Sequence, residues 1–368
     1  MPRDPSPEHP SVLYRSIHDQ PRLWRGVLSD LKGLAQEAGE ALRSRSRIFL
    51  VGTGTSYHAA MIGEHLFRAA GGEAWACRAS DFVLYPRPLR PSDAVIVISH
   101  RGNKRFGEAS IDRGLRAGCL VLGITGRDSP MKGPRFLFPT SPQETSSTHT
   151  MSYTSNLVAL ALVGRAYGVD QTEGPSSEDP PWTPLETLPD VAAALLTREP
   201  EVTPVADALA QRGRIAYVGA GPHAATAAEG ALKVKESSYL VSEGFELETF
   251  LHGGMQALHP GDVVVLIAPS GPALARAAEA RRALGYIGVR IWALTDPAGA
   301  RELSVVGQGA PGEWVFEVPR LPEVLGPLVH VIPLQLLACF TAERRGTNPD
   351  SFREDQPDFA RAVASYHL

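Results

Sequence analysis

Two stretches of this chain repeat each other, and the repeat limits the possible folds more than any other feature. Residues 49–60 read Phe-Leu-Val-Gly-Thr-Gly-Thr-Ser-Tyr-His-Ala-Ala, and residues 216–225 read Ala-Tyr-Val-Gly-Ala-Gly-Pro-His-Ala-Ala. A second pair, 93–102 and 262–271, follows at nearly the same offset. Each copy is an apolar run, a glycine turn and a helical pattern, which predicts two similar α/β domains. Ligands of such folds lie at the carboxyl ends of the strands, beside helix N-termini.

The same pattern divides the chain into five predicted segments. Residues 168–185 are polar and rich in Gly, Pro, Ser and Asp, which favours a linker. The predicted segments are an N-terminal helical part (1–45), a first domain (46–168), the linker (169–185), a second domain (186–345) and a C-terminal tail (346–368).

Composition excludes several classes of protein. The 368 residues carry a formal net charge of −4, so no basic field recruits nucleic acid. No apolar run reaches membrane-spanning length, and the N-terminus lacks the layout of a secretion signal. The three cysteines are widely spaced, which argues against a disulfide framework or a zinc site. We therefore expect a cytoplasmic protein with no nucleic-acid or membrane partner, no metal and no cofactor.

The first candidate site is the turn that contains Gly54, Thr55 and Ser56. Glycines at a strand-to-helix turn let backbone amides approach a ligand, and the helix N-terminus favours an anion. The alternative is an ordinary helix cap formed by Thr55 or Ser56. The turn is not a dinucleotide fingerprint, because Tyr57 stands where the third glycine would fall.

A second turn follows the next buried strand and contains Ser99, His100, Arg101, Gly102 and Lys104. Cationic side chains bind phosphate well, and a helix dipole disfavours them at this end unless an anion is present. The turn is therefore a candidate phosphate contact. The alternative is a solvated basic helix start paired with nearby acidic residues.

The remaining candidates lie in the second half. Glu229, Lys233 and Glu236 are spaced to share one helix face, either as a surface ladder of ion pairs or as catalytic groups in a dry cleft. His252 precedes two glycines in a loop, a setting that suits acid–base chemistry.

These residues resemble the sugar isomerase (SIS) superfamily, and within it the isomerase part of glutamine:fructose-6-phosphate amidotransferases. The matching segments are Ile-His-Asp-Gln-Pro (17–21), Gly-Thr-Ser (54–56), Ser-Asp-Phe (80–82), Glu-Gly-Ala-Leu-Lys-Val-Lys-Glu (229–236) and Asp-Gln-Pro (355–357). The resemblance extends over nearly the whole chain. It implies two tandem SIS domains, each a three-layer α/β/α doubly wound parallel sheet of flavodoxin-like type.

The resemblance also implies a function. A sugar phosphate would bind the first domain of a homodimer with shared active sites, and Glu236 would move a proton between C1 and C2. His252, from the neighbouring subunit, would help to open the sugar ring, and Lys233 would contact the sugar. This is aldose–ketose isomerase chemistry.

Four departures from the family pattern bear on this implication. We expect an isomerase part without a glutaminase domain, and cations replace two hydroxyl contacts of the phosphate loop. The wall segment 144–150, in which Ser147 is a candidate contact, is more polar than usual. The family's C-terminal lysine is absent, and Arg361 is the nearest substitute, which is too basic to form an imine.

Three functions stay open from the sequence. The first is an enzyme that isomerises, deaminates or deglycates a hexose or amino-sugar phosphate such as fructose 6-phosphate or glucosamine 6-phosphate. The second is a sensor that binds a sugar phosphate or nucleotide sugar without turnover. The third, a nucleotide-dependent oxidoreductase, is disfavoured by the incomplete glycine fingerprint.

Overall fold

The computed structural model describes residues 10–168, 182–211, 214–305 and 313–366. Most of the predicted linker, residues 169–181, lies outside this part of the chain. The chain divides into two compact units. The described residues within 19–145, 149–189 and 357–368 form what we call the first unit, and those within 1–18, 146–148 and 190–356 form the second unit.

The first unit is built on a five-stranded parallel sheet. Helices α1 and α2 precede the sheet in the chain, and helices follow its strands. The elements up to residue 168 are α1 (Val12–Asp30), α2 (Lys32–Arg43), β1 (Arg47–Gly52), α3 (Thr55–Ala69), β2 (Ala74–Arg78), α4 (Ala79–Leu84), β3 (Asp93–Ile98), α5 (Arg105–Arg116), β4 (Leu120–Thr125), β5 (Phe136–Pro139) and α6 (Met151–Gly168). The strand order is β2-β1-β3-β4-β5.

The second unit has a sheet of the same design. Its elements are α7 (Leu188–Leu196, which begins at the unit boundary), α8 (Thr203–Ala210), β6 (Arg214–Gly219), α9 (Pro222–Ser238), β7 (Val241–Glu246), α10 (Leu247–Leu251), β8 (Val263–Ile267), α11 (Leu274–Ile287), β9 (Arg290–Thr295), α12 (Pro297–Val305), β10 (Trp314–Glu317) and α13 (Gly326–Arg345). The last helix of the chain, α14 (Pro357–Ala364), belongs to the first unit. The strands are parallel in the order β7-β6-β8-β9-β10.

Both sheets therefore have the flavodoxin-like order 2-1-3-4-5, which confirms the predicted fold class. The central strands form because their residues are apolar on both faces, and β3 and β8 are buried throughout. The chain winds first one way and then the other, so each sheet has a switch point, at β1/β3 and at β6/β8. The carboxyl ends of these strand pairs are where doubly wound folds bind ligands.

The two Gly-x-Gly turns that predicted the repeat have the same backbone. Gly54 has φ 55° and ψ −128°, and Gly221 has φ 54° and ψ −130°. A side chain at either position would be strained. The preceding glycines permit close approach, because a Cβ on Gly52 or Gly219 would lie 2.3 Å from the backbone of the following helix.

One described helix, α13, is long and apolar enough to cross a membrane. In this fold 94% of its apolar window is buried inside the protein. Its apolar surface is therefore accounted for by packing in the second unit, chiefly against α9.

Candidate functional site

The turn between β1 and α3 presents an open glycine at the switch point of the first sheet. The carbonyl of Gly54 accepts hydrogen bonds from the amides of Tyr57 (2.8 Å) and His58 (3.1 Å), which starts the helix. A Cβ on Gly54 would meet nothing within 4 Å. Thr55 and Ser56 are half-buried at the first turn of α3. The backbone and hydroxyl groups of this turn thus lie at a helix start, where an anion would be favoured.

The second predicted turn lies beside it, at the end of β3. The hydroxyl of Ser99 accepts from the amide of Gly102 at 3.3 Å. Gly102 has φ 72°, and a Cβ there would lie 1.9 Å from Ser129 Oγ, so the turn requires glycine. The neighbouring strand β4 also holds this turn in place, because Thr125 Oγ1 donates a hydrogen bond to the carbonyl of Ser99 at 2.7 Å.

His100 is turned into the protein and away from solvent. His100 is only 6% exposed, and its Nε2 accepts a hydrogen bond from the amide of Glu144 at 2.9 Å. Burial, together with nearby His149, lowers the pKa of His100 to about 4, so the ring is neutral at pH 7. In this position His100 fixes the turn, and a direct ligand contact by it stays a prediction.

Arg101 and Lys104 are the cations that this turn presents. Arg101 is exposed, and Lys104 is half-buried at the N-cap of α5. Neither forms an ion pair with a described residue, so the alternative of pairing with Glu108 is not realised in this part of the chain. Burial, with Arg101 nearby, lowers the pKa of Lys104. Two cations therefore lie at a helix start, and no anion of the described part of the chain pairs with them.

Glu144 is a residue that the sequence reasoning did not single out. It is 1% exposed, and its carboxylate accepts from the amides of Thr150 (2.8 Å) and Ser152 (3.1 Å) and from both of their hydroxyls. It thereby caps α6, while its own amide holds His100. An acidic residue seven positions before an apolar helix was the available signal.

Two further candidates in the predicted site are less constrained. Ser147 is half-buried, and its amide donates to the carbonyl of Asp350 at 3.0 Å, within the second unit. Arg361 lies on α14 in the first unit, has a side chain 79% exposed, and pairs with Asp358. Among the described residues, neither Ser147 nor Arg361 forms a hydrogen bond or ion pair with a glycine turn of its own unit.

Helix α9 brings together the three charged residues that the sequence placed on one face. Lys233 is fully buried, with its Nζ 2.6 Å from Glu236 Oε2 and 3.4 Å from Glu229 Oε1. Glu229 is fully buried, whereas the Glu236 side chain is 18% exposed. The buried Lys233 thus lies between a buried carboxylate, Glu229, and a partly exposed one, Glu236. A row of ion pairs on an exposed helix face would not have this burial.

The small residues around this triad explain its burial. A Cβ on Gly230 would lie 2.9 Å from Tyr217 and from Leu334, and a Cβ on Gly244 would lie 2.4 Å from the backbone of Ala228. The sheet and α13 can therefore approach α9 closely. Such packing excludes water from one side of the lysine.

His252 stands apart from this triad. It follows α10, its side chain is 75% exposed, and its Nε2 lies 3.5 Å from Glu248 Oε1. Its described partner is Glu248 alone. Across the described ranges, no group of three His, Cys, Asp or Glu side chains is placed to hold a metal ion.

Comparison with known proteins identifies the fold family. Residues 41–164 and 208–340 each match the SIS domain. The chain belongs to the SIS-domain family. This confirms the resemblance drawn from the sequence, and the two matched segments contain β1–β5 and β6–β10 respectively.

The chain is also similar to individual proteins. A glutamine–fructose-6-phosphate aminotransferase of Thermococcus kodakarensis is 29% identical over 94% of this chain, which spans 57% of that relative's length. Among solved structures, the C-terminal domain of glucosamine-fructose-6-phosphate aminotransferase from Francisella tularensis has a TM-score of 0.81 at 21% identity, covering 92% and 98% of the two chains. Tagatose-6-phosphate ketose/aldose isomerase from Escherichia coli has a TM-score of 0.75 at 21% identity, covering 95% and 96%.

Proposed function

We propose that this SIS protein acts on a hexose or amino-sugar phosphate, such as fructose 6-phosphate or glucosamine 6-phosphate, by proton transfer between C1 and C2. The observation that carries the proposal is the Lys233–Glu236 pair, a buried ammonium 2.6 Å from a carboxylate that solvent can reach. A partly buried carboxylate that solvent can reach can take a proton from a substrate carbon. An adjacent cation can stabilise the negative charge that then develops on the substrate oxygen. Glu236 is assigned as the base and Lys233 as a sugar contact.

The phosphate is assigned to the first unit. Gly54, Thr55 and Ser56 supply amides and hydroxyls, and Arg101 and Lys104 supply charge that no described protein anion balances. Ser99, His100 and Gly102 shape this turn. The named relatives act on or are named for sugar phosphates, which supports the same ligand class here.

The other assigned residues follow the family resemblance. His252 is proposed to act in ring opening from the neighbouring subunit of a cytoplasmic homodimer, and its 75% exposed side chain leaves it accessible to a second copy. Ser147 and Arg361 are proposed as further substrate contacts. Arginine cannot form an imine, so amination through a lysine imine is not part of the proposal.

Deuterium exchange tests the proposal. The protein is incubated in deuterated water with fructose 6-phosphate, glucose 6-phosphate and glucosamine 6-phosphate, and proton NMR follows the signals at C1 and C2. We expect exchange with at least one sugar. Absence of exchange and of ammonia release over the whole panel would contradict the enzyme assignment.

The second candidate function is a sensor that binds a sugar phosphate or nucleotide sugar without turnover. The altered turn with Arg101 and Lys104 favours it, because charge alone can hold a phosphate without orienting the sugar for reaction. Calorimetry separates the two functions, since tight binding of a sugar that shows no exchange supports the sensor. Light scattering on the same sample tests the dimer.

A further inference from the structure

One buried carboxylate joins the two ends of the loop that precedes α6. Glu144 is 1% exposed, and its Oε1 accepts hydrogen bonds from the amide and the hydroxyl of Thr150 at 2.8 and 3.1 Å. Its Oε2 accepts from the amide and the hydroxyl of Ser152 at 3.1 and 2.6 Å. Residues 145–149, which include the candidate contact Ser147, therefore form a loop that this side chain closes at its base.

The backbone of Glu144 holds the turn at the end of β3, residues 99–104. Its amide donates to His100 Nε2 at 2.9 Å. Within the described ranges this is the only hydrogen bond of the imidazole ring, since Nδ1 has no partner there. A ring nitrogen that accepts a hydrogen bond carries no proton, so His100 is neutral with its proton on Nδ1.

Tight packing on a second side also fixes His100. A Cβ on Gly126 would lie 2.6 Å from Cε1 of the ring and 2.6 Å from Nε2 of Gln143, so the ring requires glycine there. The carbonyl of His100 accepts from the Gly126 amide at 2.9 Å and from Gln143 Nε2 at 3.3 Å. The position of His100 thus depends on the segments before and after β5.

A fixed His100 determines where the next cation points. His100 is buried, Arg101 is exposed, and Gly102 is buried with a φ of 72°. Arg101 is therefore directed to solvent by a neighbour on each side that cannot turn outward. A displaced His100 would move the guanidinium that the proposed function assigns to the phosphate.

We propose that Glu144 is a positioning residue, whose carboxylate closes the loop 145–149 and whose amide thereby holds His100 in the orientation that presents Arg101 to a phosphate. The effect on substrate rests on the proposed function, whereas the hold on His100 requires no substrate. Glutamine cannot replace Glu144, because its NH2 group would meet the N–H and O–H donors of Thr150 or Ser152. Glu144→Gln should therefore open the loop and release His100.

The charge state of His100 reports this hold. Burial lowers the pKa of His100 to about 4; His149, whose ring lies 5.2 Å away, lowers it further, the Glu144 carboxylate raises it and Arg101 lowers it. Loss of the Glu144 charge alone would lower the pKa of His100, whereas release of the ring to water raises it. Because burial is the largest cause, Glu144→Gln should raise this pKa towards the ordinary value of about 6.5.

NMR of the protein with labelled histidine measures both properties, and His100→Gln identifies the signals of His100. Wild type should show the Nδ1–H tautomer and a neutral ring at pH 6, and Glu144→Gln a higher pKa of His100. Ser152→Ala removes the 2.6 Å hydrogen bond but keeps the charge, so it should also raise the pKa and decides the matter if the glutamine variant does not fold.

Asp296→Asn is the matched control. Asp296 is a carboxylate 2% exposed that accepts from the amides of Ala298 and Gly299 at the start of α12, in the second unit. Its loss should lower stability and leave the pKa of His100 unchanged. An Nε2–H tautomer in wild type would overturn the proposal, as would an unchanged or lower pKa of His100 in the folded Glu144 variant or, failing that, in Ser152→Ala.

Exchange kinetics test the effect on substrate. Glu144→Gln should raise KM for the sugar phosphate about tenfold and leave kcat within about twofold, because Glu236 lies in the other unit. Added to Arg101→Ala, it should raise KM no further. The same increase in both backgrounds would show that Glu144 does not act through Arg101 and would overturn the proposal. A wild type without exchange would instead contradict the proposed function, and the NMR result would still decide the hold on His100.

Discussion

Replacing Lys233 by methionine should destabilise the protein strongly. At an effective dielectric constant near 20, the Coulomb energies of Lys233 with Glu236 at 2.6 Å and with Glu229 at 3.4 Å are about 6 and about 5 kcal/mol before desolvation is counted. Methionine fills most of the volume but leaves the fully buried Glu229 beside an apolar group. Breaking a buried pair from one side costs about 3–5 kcal/mol, which is the loss expected in the free energy of unfolding.

The assay is urea unfolding at neutral pH followed by circular dichroism, with two companion variants. Lys235→Met changes the same residue type on the same helix at an exposed position, and its effect should stay within about 0.5 kcal/mol. The double variant Glu229→Gln/Lys233→Met removes the stranded charge and should regain about 1–3 kcal/mol of the loss. The reasoning is refuted if Lys233→Met and Lys235→Met unfold at the same urea concentration.

Three further predictions follow from the described geometry. Arg101→Ala and Lys104→Ala should each weaken binding of phosphorylated sugars in calorimetry and leave neutral sugars unaffected; tighter phosphate binding would mean that the cation blocks the site. His330 is buried on α13, and burial lowers its pKa to about 4. The free energy of unfolding is therefore unaffected by this group above pH 6.5 and falls as the pH drops towards 4, by at most about 3 kcal/mol. His330→Phe should therefore flatten the decline of unfolding free energy between pH 7 and pH 5, and an unchanged slope would contradict this. Gly54→Ala and Gly221→Ala should cost equal amounts, about 1–3 kcal/mol each, because their backbones match; unequal thermal shifts would refute a shared strain.

The architecture could be predicted because its determinants are local. The apolar strands before Gly52 and Gly219 and the glycine turns after them are visible in short stretches of sequence, and the duplicated pattern predicts two similar domains. The strand order of the two sheets was implied by the family resemblance. Strand β7 and helix α10 were not predicted, because glutamates at 243, 246 and 248 and a glycine at 244 interrupt the apolar pattern of residues 241–251 and much of the segment is exposed. Edge position, and not residue preference, makes β7 a strand.

Site geometry was predictable only where it depended on helix spacing. Glu229, Lys233 and Glu236 meet because they lie on one helix face, which the sequence shows directly. The buried position of His100 depends on the amide of Glu144, 44 positions along the chain. The approach of the Glu323 carboxylate to Gly221 joins residues that are 102 positions apart. Such contacts are set by tertiary packing, which a single sequence does not reveal.

The most direct test of the central claim, that Glu236 is the proton-transferring base, is solvent deuterium incorporation into fructose 6-phosphate or glucosamine 6-phosphate by Glu236→Gln. We expect wild type and the exposed-site control Glu302→Gln to exchange at equal rates. Glu236→Gln should bind the sugar with nearly unchanged affinity and lose about 10²–10⁴-fold in exchange rate. A Glu236→Gln rate within a few-fold of wild type would contradict the account.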